Sequence, residues 1–151
     1  MKIAVVTGTS TGIGFETSLH LARNGYQVFA GMRNTGKAQP LIDAAKAESL
    51  PVEVIEMDVT SNSSLDTAFA TIYARGAVSL LVNNAGIGGA SPLEITPEDE
   101  HRQVFDTNYF GTIACIQKVL PAMRESGSGD IVNISSIVGI MATPNQIAYS
   151  A

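Results

Sequence analysis

The chain has 151 residues, 45% hydrophobic and 15% charged, a globular composition long enough for one domain with its own core. Its net charge is −5 and its nine Lys and Arg are scattered, which argues against a nucleic-acid face, because phosphate backbones are met by clustered positive charge. No apolar run nears the roughly 18 residues that a membrane span needs, so no membrane role is expected.

Short β-branched runs alternate with longer helical patterns. Met1 and Lys2 lead straight into the strand "KIAVVT" (2–7), without the longer apolar core and small-residue cleavage site of a signal peptide. "GIGFETSLHLARNG" follows as a helix closed by Gly25, then "YQVFAG" (26–31) as a second strand. Residues 39–49 read as helix, ending before Pro51, and "VEVIEM" (52–57) as a third strand. Asp58 to Ser61 supply cap residues for a helix over roughly 62–75, and "AVSLLV" (77–82) is a fourth strand.

After a loop with Gly86, Gly88, Gly89 and Pro92, a long helix begins near Pro97. Its expected apolar face is Phe105, Tyr109, Ile113, Ile116, Leu120 and Met123, at three- to four-residue spacing. Pro121 is expected to kink this helix rather than end it. "DIVNIS" (130–135) is the fifth strand, and Pro144 reads as the start of a last helix.

The first, third and fifth strands are apolar at nearly every position, the pattern of parallel strands covered on both faces. Strict alternation implies an α/β fold, a Rossmann-like doubly wound parallel sheet of about five strands with right-handed crossovers. The single cysteine, Cys115, cannot form an internal disulfide and lies in an apolar helical stretch, which reads as a buried thiol in a reducing, cytoplasmic setting. His20 and His101 stand alone and no Cys-x-x-Cys occurs, so no metal site is expected.

The chemistry is concentrated where strands end. The first strand runs into "TGTSTGIG" (7–14) and then a helix. Glycines there allow a tight turn and close approach of backbone to a ligand, and the new helix offers free N–H groups to an anion. A dinucleotide pyrophosphate suits this arrangement, although a plain strand-to-helix turn would also use such glycines. No Gly-Lys-Ser/Thr follows, so it is not a P-loop. "LVNNAG" (81–86) ends the fourth strand on the same carboxyl edge of the sheet. Asn108 interrupts an apolar helix face, where an amide needs partners. Ser136 follows the fifth strand, and Tyr149 lies thirteen residues beyond it.

With TGxxxGIG at 7–14, NNAG at 83–86, "DTNYFG" around Asn108, "NISS" at 133–136 and "AYSA" at 148–151, the chain resembles the short-chain dehydrogenase/reductase family along its whole length. The resemblance implies that Gly8, Ser10, Thr11, Gly12, Ile13 and Gly14 line the pyrophosphate and adenosine end of a nicotinamide cofactor. Asp58 and Val59 would flank the adenine, and Asn84, Ala85 and Gly86 would support the cofactor ribose and hold the central sheet. Asn108 would position a proton-relay water, Ser136 would hydrogen-bond the substrate oxygen, and Tyr149 would be the acid/base. Each has a plainer alternative: Ser136 as a turn-former, Asn108 as a structural amide at a helix kink, Asp58 as a helix cap, Tyr149 as a packing aromatic.

The family's acid/base motif is Tyr-x-x-x-Lys, and its lysine would fall two positions beyond Ala151. The resemblance thus reads residues 1–151 as one dinucleotide-binding domain, C-terminally incomplete and, by itself, catalytically silent. Met32 stands where an NAD-preferring relative would carry an acid, and Arg33 suits a 2′-phosphate, so NADP is expected with NAD as second choice. The implied activity is hydride transfer between that cofactor and a small-molecule alcohol or carbonyl. A non-catalytic dinucleotide-binding module, and a fragment acting with a second polypeptide, stand beside this reading. An exposed fifth strand would also favour a homo-oligomer.

Overall fold

The computed structural model describes residues 1–151. Strands β1 (Lys2–Thr7), β2 (Tyr26–Met32), β3 (Val52–Glu56), β4 (Val78–Asn83) and β5 (Asp130–Asn133) form one sheet. All pairings are parallel and the order is β3-β2-β1-β4-β5. Each parallel neighbour requires a crossover, supplied by α1 (Gly12–Arg23), α2 (Gln39–Ala47), α3 (Asn62–Tyr73) and the long helical segment before β5. The chain steps outward from β1 to β3 and then returns to place β4 on the other side of β1. That reversal opens a crevice beyond the carboxyl ends of β1 and β4, where sheets of this kind take ligands.

Alternation along the central strands splits the core in two. Val5, Phe29 and Leu81 face one way and pack with Leu65, Phe69, Ile72, Cys115 and Val119 from the helices of that face. Ala4, Val6, Val28, Leu80 and Val82 face the other way, with Ala22 of α1. Leu19, Leu41 and Ala45 extend this second layer around Ala30 and Met32. Burial pushes the Cys115 thiol up to about 12, as its place in the first layer requires.

Three expectations need correction. Only β1, β2 and β4 are deeply buried; β3 is half-buried and β5 mostly exposed, because the strand order makes both of them edges. Each has a single strand neighbour: β3 still meets both layers, through Ile55 on one face and Val52 and Val54 on the other, whereas β5 packs only through Ile131 on one face. The long helix is also not one regular helix. It comprises α4 (Glu98–Phe105), a π-helical turn (Asp106–Phe110) and α5 (Gly111–Ser126), which runs through Pro121 and ends at left-handed Gly127. The wider turn rotates the apolar stripe, so Val104, Gly111, Cys115, Val119 and Met123 are buried while Phe105 and Tyr109 are exposed.

The third correction is at the end of the chain. Pro144 does not begin a helix: Asn145 adopts a left-handed φ of 64°, and α6 spans only Ile147–Ser150. No helix is long and apolar enough to cross a membrane.

Candidate active site

Two joined clefts lie along the carboxyl edge of the sheet. The first, about 380 Å³, is lined by Gly8, Ser10, Thr11, Ile13, Arg33, Asp58, Val59, Asn84, Ala85 and Gly86, with Met32, Asn34 and Lys37. The second, about 400 Å³, is lined by Asn108, Ser136 and Tyr149 with Asn83, Thr112 and Asn133. Ile13, Asn84, Ala85, Gly86 and Ile87 line both. Gly12 and Gly14 alone among the expected residues line neither. Gly12 opens α1 at a φ of 63°, and Gly14 is buried one residue beyond Ile13.

The glycine turn is packed against the end of β4. A Cβ on Gly8 would come 2.7 Å from the Ala85 Cα, and Gly8 also holds a φ of 69°. A Cβ on Gly14 would meet the Gly8 carbonyl oxygen at 2.5 Å and the Asn84 amide as well. The Asn84 Nδ2 donates to the carbonyl oxygens of Thr7, at 2.9 Å, and Gly8, at 3.0 Å. Asn84 therefore stitches β4 to the turn, and the two glycines let it do so.

Sequence reasoning missed Thr7 and Thr9. The buried Thr7 hydroxyl accepts the N–H groups of Asn84, at 3.0 Å, and Ala85, at 2.9 Å. The buried Thr9 hydroxyl donates to the Gly31 carbonyl at 3.1 Å, fixing the turn to β2. Their signal was a hydroxyl on either side of the first glycine, where an apolar residue would have left strand-end backbone groups unpaired.

Asp58 does not cap the helix after β3. Ser61 is that cap, accepting from the Ser64 N–H, whereas Asp58 Oδ1 accepts from the Thr60 N–H at 3.0 Å and the Thr60 hydroxyl at 2.8 Å. Asp58 is thus held in a tight turn at the first cleft, beside the buried Val59.

In the second cleft, Asn108 sits in the π-turn and reaches across to the loop after β4. Its Oδ1 accepts the Ile87 N–H at 2.9 Å, and its Nδ2 donates to the Ile87 carbonyl at 2.8 Å. The Thr112 hydroxyl donates to the Asn108 carbonyl at 2.9 Å. Ser136 accepts the Val138 N–H at 3.2 Å and so does shape a turn, while also lining the cleft. Tyr149, on α6, lines the same cleft. The loop after β4 meets the chain before α6 where the Ser91 N–H donates to the Asn145 carbonyl at 2.8 Å.

Asn83 and Asn133, adjacent in register, form a further pair that the sequence did not reveal. Asn83 Nδ2 donates to Asn133 Oδ1 at 2.8 Å, and the buried Asn83 Oδ1 has no partner.

Comparison with known proteins identifies the family and the fold. The family described as short chain dehydrogenase matches residues 2–151, and the chain belongs to that family of oxidoreductases. It is 38% identical to an uncharacterized oxidoreductase of Myxococcus xanthus over 151 residues, covering 99% of this chain and 60% of that protein. It is 39% identical to the 3-oxoacyl-[acyl-carrier-protein] reductase FabG of Staphylococcus epidermidis over 154 residues, covering 99% of this chain and 62% of that one. A gluconate 5-dehydrogenase from Burkholderia cenocepacia, solved with NADP and tartrate, superposes with a TM-score of 0.90 at 31% identity, over 99% of this chain and 59% of that one. The chain therefore spans about three-fifths of the length of these relatives.

Proposed function

We propose that these residues are the cofactor-holding and proton-transferring part of an oxidoreductase that interconverts an alcohol and a carbonyl, preferring NADP(H) to NAD(H). The observation that carries the reading is the continuity of the two clefts through Ile13, Asn84, Ala85, Gly86 and Ile87. A glycine turn and a guanidinium lie at one end, and a serine and a tyrosine at the other. The NADP-bound relative and the reductase relative support it.

The donor set fits such a cofactor. Gly8, Ser10, Thr11 and Ile13 would hold the pyrophosphate, with Gly12 and Gly14 shaping the turn and the start of α1. Asp58 and Val59 would flank the adenine, and Arg33 would meet a 2′-phosphate. Asn84, Ala85 and Gly86 would support the ribose on the nicotinamide side. The bound cofactor supplies or accepts the hydride.

The protein's own work is done with protons and positions. Tyr149 gives or takes a proton at Oη. Ser136 Oγ is fixed by the Val138 N–H and keeps its own proton to donate to the substrate oxygen. Asn108 binds Ile87 with one amide hydrogen and one oxygen lone pair, leaving its second hydrogen and second lone pair for a relay water. The substrate is a small alcohol or carbonyl compound, and the setting is cytoplasmic, as one buried thiol suits.

The 151 residues contain no lysine after Lys118, so Tyr-x-x-x-Lys is not completed within them. A polypeptide of these residues alone is therefore expected to give no turnover. The test is cofactor oxidation or reduction by the purified 151-residue polypeptide across a panel of alcohols and carbonyls. Steady turnover, lost in Tyr149→Phe, would contradict the expected silence while supporting the role of the tyrosine. Calorimetric titration of NADPH and NADH tests the preference, and equal affinities would overturn it.

A further inference from the structure

Arg23, Arg75, Arg102 and Lys118 each pair with an acid: Glu48, Glu53, Glu98 and Asp66 in turn. Arg33 and Lys37 have no ion-pair partner, yet both line the first cleft. The one acidic residue of that lining, Asp58, is turned onto Thr60 and pairs with neither.

Two unpaired cations at one cleft wall repel each other weakly through water, and an anion between them removes that repulsion. We infer that Lys37 is a second specificity-determining residue, which closes with Arg33 on the 2′-phosphate of NADP(H). This rests on the cofactor reading given above and extends it to a residue that the family motifs do not mark.

The local fold explains why Lys37 is there. Asn34 Oδ1 accepts the Gly36 N–H at 2.9 Å, and the Asn34 carbonyl accepts the Lys37 N–H at 3.1 Å. These bonds wind Thr35–Lys37 into a single 3-10 turn directly after β2. Arg33 and Lys37 thus reach the same cleft from the two ends of one short turn. Across it, the hydroxyls of Ser10 and Thr11 make no hydrogen bond within the protein, although both residues line the cleft.

The chemistry of this set is that of a phosphate monoester. A guanidinium can grip two phosphate oxygens with a fixed fork, while an ammonium on a flexible stem acts as a point charge on the third. A bare 2′-hydroxyl offers no charge to either group. Lys37 therefore adds to discrimination between the two cofactors and not to binding of the shared adenosine and pyrophosphate.

The experiment is fluorescence titration of NADPH and NADH against the 151-residue chain and its Arg33→Gln, Lys37→Gln and Lys37→Arg variants. Adenosine 2′,5′-bisphosphate and adenosine 5′-monophosphate serve as competitors. Lys37→Gln should weaken NADPH and the bisphosphate about tenfold, the scale of one charge-assisted hydrogen bond, and leave NADH and the monophosphate within twofold. Lys37→Arg should retain most of the preference. If Lys37→Gln binds NADPH as the parent does while Arg33→Gln does not, the inference fails and the cofactor reading stands. If the parent binds both cofactors equally, or neither, both fail together.

Discussion

Asn108 and Ile87 hold each other by two hydrogen bonds, 2.9 Å from the Ile87 N–H to Oδ1 and 2.8 Å from Nδ2 to the Ile87 carbonyl. One side chain in the π-turn thereby closes the ladder that the backbone leaves open beyond β4. Asn108→Ala leaves both Ile87 groups without partners and should cost about 1–3 kcal/mol in stability. Asn108→Asp keeps the acceptor but sets a carboxylate oxygen against the Ile87 carbonyl where Nδ2 donates, so its loss should be at least as large. Urea denaturation of the three proteins checks this, and an Ala variant within about 0.5 kcal/mol of the parent would contradict it.

Gly14 reverses a general rule. Ala is normally favoured over Gly inside a helix by about 1 kcal/mol. Here a Cβ would run into the Gly8 carbonyl and the Asn84 amide, forcing the turn away from β4. Gly14→Ala should therefore destabilise by about 1–3 kcal/mol, the usual scale of overpacking, and weaken NADPH binding. A more stable Gly14→Ala variant in thermal unfolding would show that the turn is not packed as described.

Cys115 gives the protein an alkaline liability. Its folded thiol is pushed up to about 12 by burial, whereas an unfolded thiol titrates near ~8.5. Between these values the folded chain binds the proton that the unfolded chain releases. The contribution is complete below about pH 8.5 and is lost as pH rises, reaching about 2 kcal/mol by pH 10. Denaturation midpoints of the parent should fall more steeply from pH 8 to 10 than those of Cys115→Ala. Parallel slopes would refute this, as would rapid alkylation of the folded protein at pH 8.

β5 leaves one edge of the sheet unpaired in these residues. Val132 is 43% exposed and Ile134 41% exposed. Such an edge recruits other strands, so a polypeptide of these residues should self-associate. A charge on the edge should suppress this. Val132→Lys is expected to lower the mass seen in light scattering; a monodisperse parent monomer at high concentration would count against the idea.

Much of this was legible in the sequence, because strand runs, glycine turns and a helix cap such as Ser61 act locally. All five strands fall within one or two residues of their expected bounds, and most expected site residues line one of the two clefts. Asn108 announced itself as a polar break in an apolar run. What it did not announce was the π-turn around it, and a periodicity of 3.6 carried through that turn put Phe105 and Tyr109 on the wrong face. The roles of Thr7 and Thr9 depend on β2 and β4 lying to either side of β1, a tertiary fact. The Asn83–Asn133 pair likewise exists only through the β4–β5 register.

Hydrogen exchange read by mass spectrometry, with and without NADPH, tests the central proposal most directly, because it locates bound cofactor on the chain and tolerates self-association. Added NADPH should slow exchange in three separated stretches, 7–14, 33–37 and 84–88, while the distant face of α3 is unchanged. The 2′-phosphate reading further requires NADH to protect residues 33–37 less than NADPH does. No protection at any of the three, or protection confined to surfaces away from the carboxyl edge of the sheet, would contradict it.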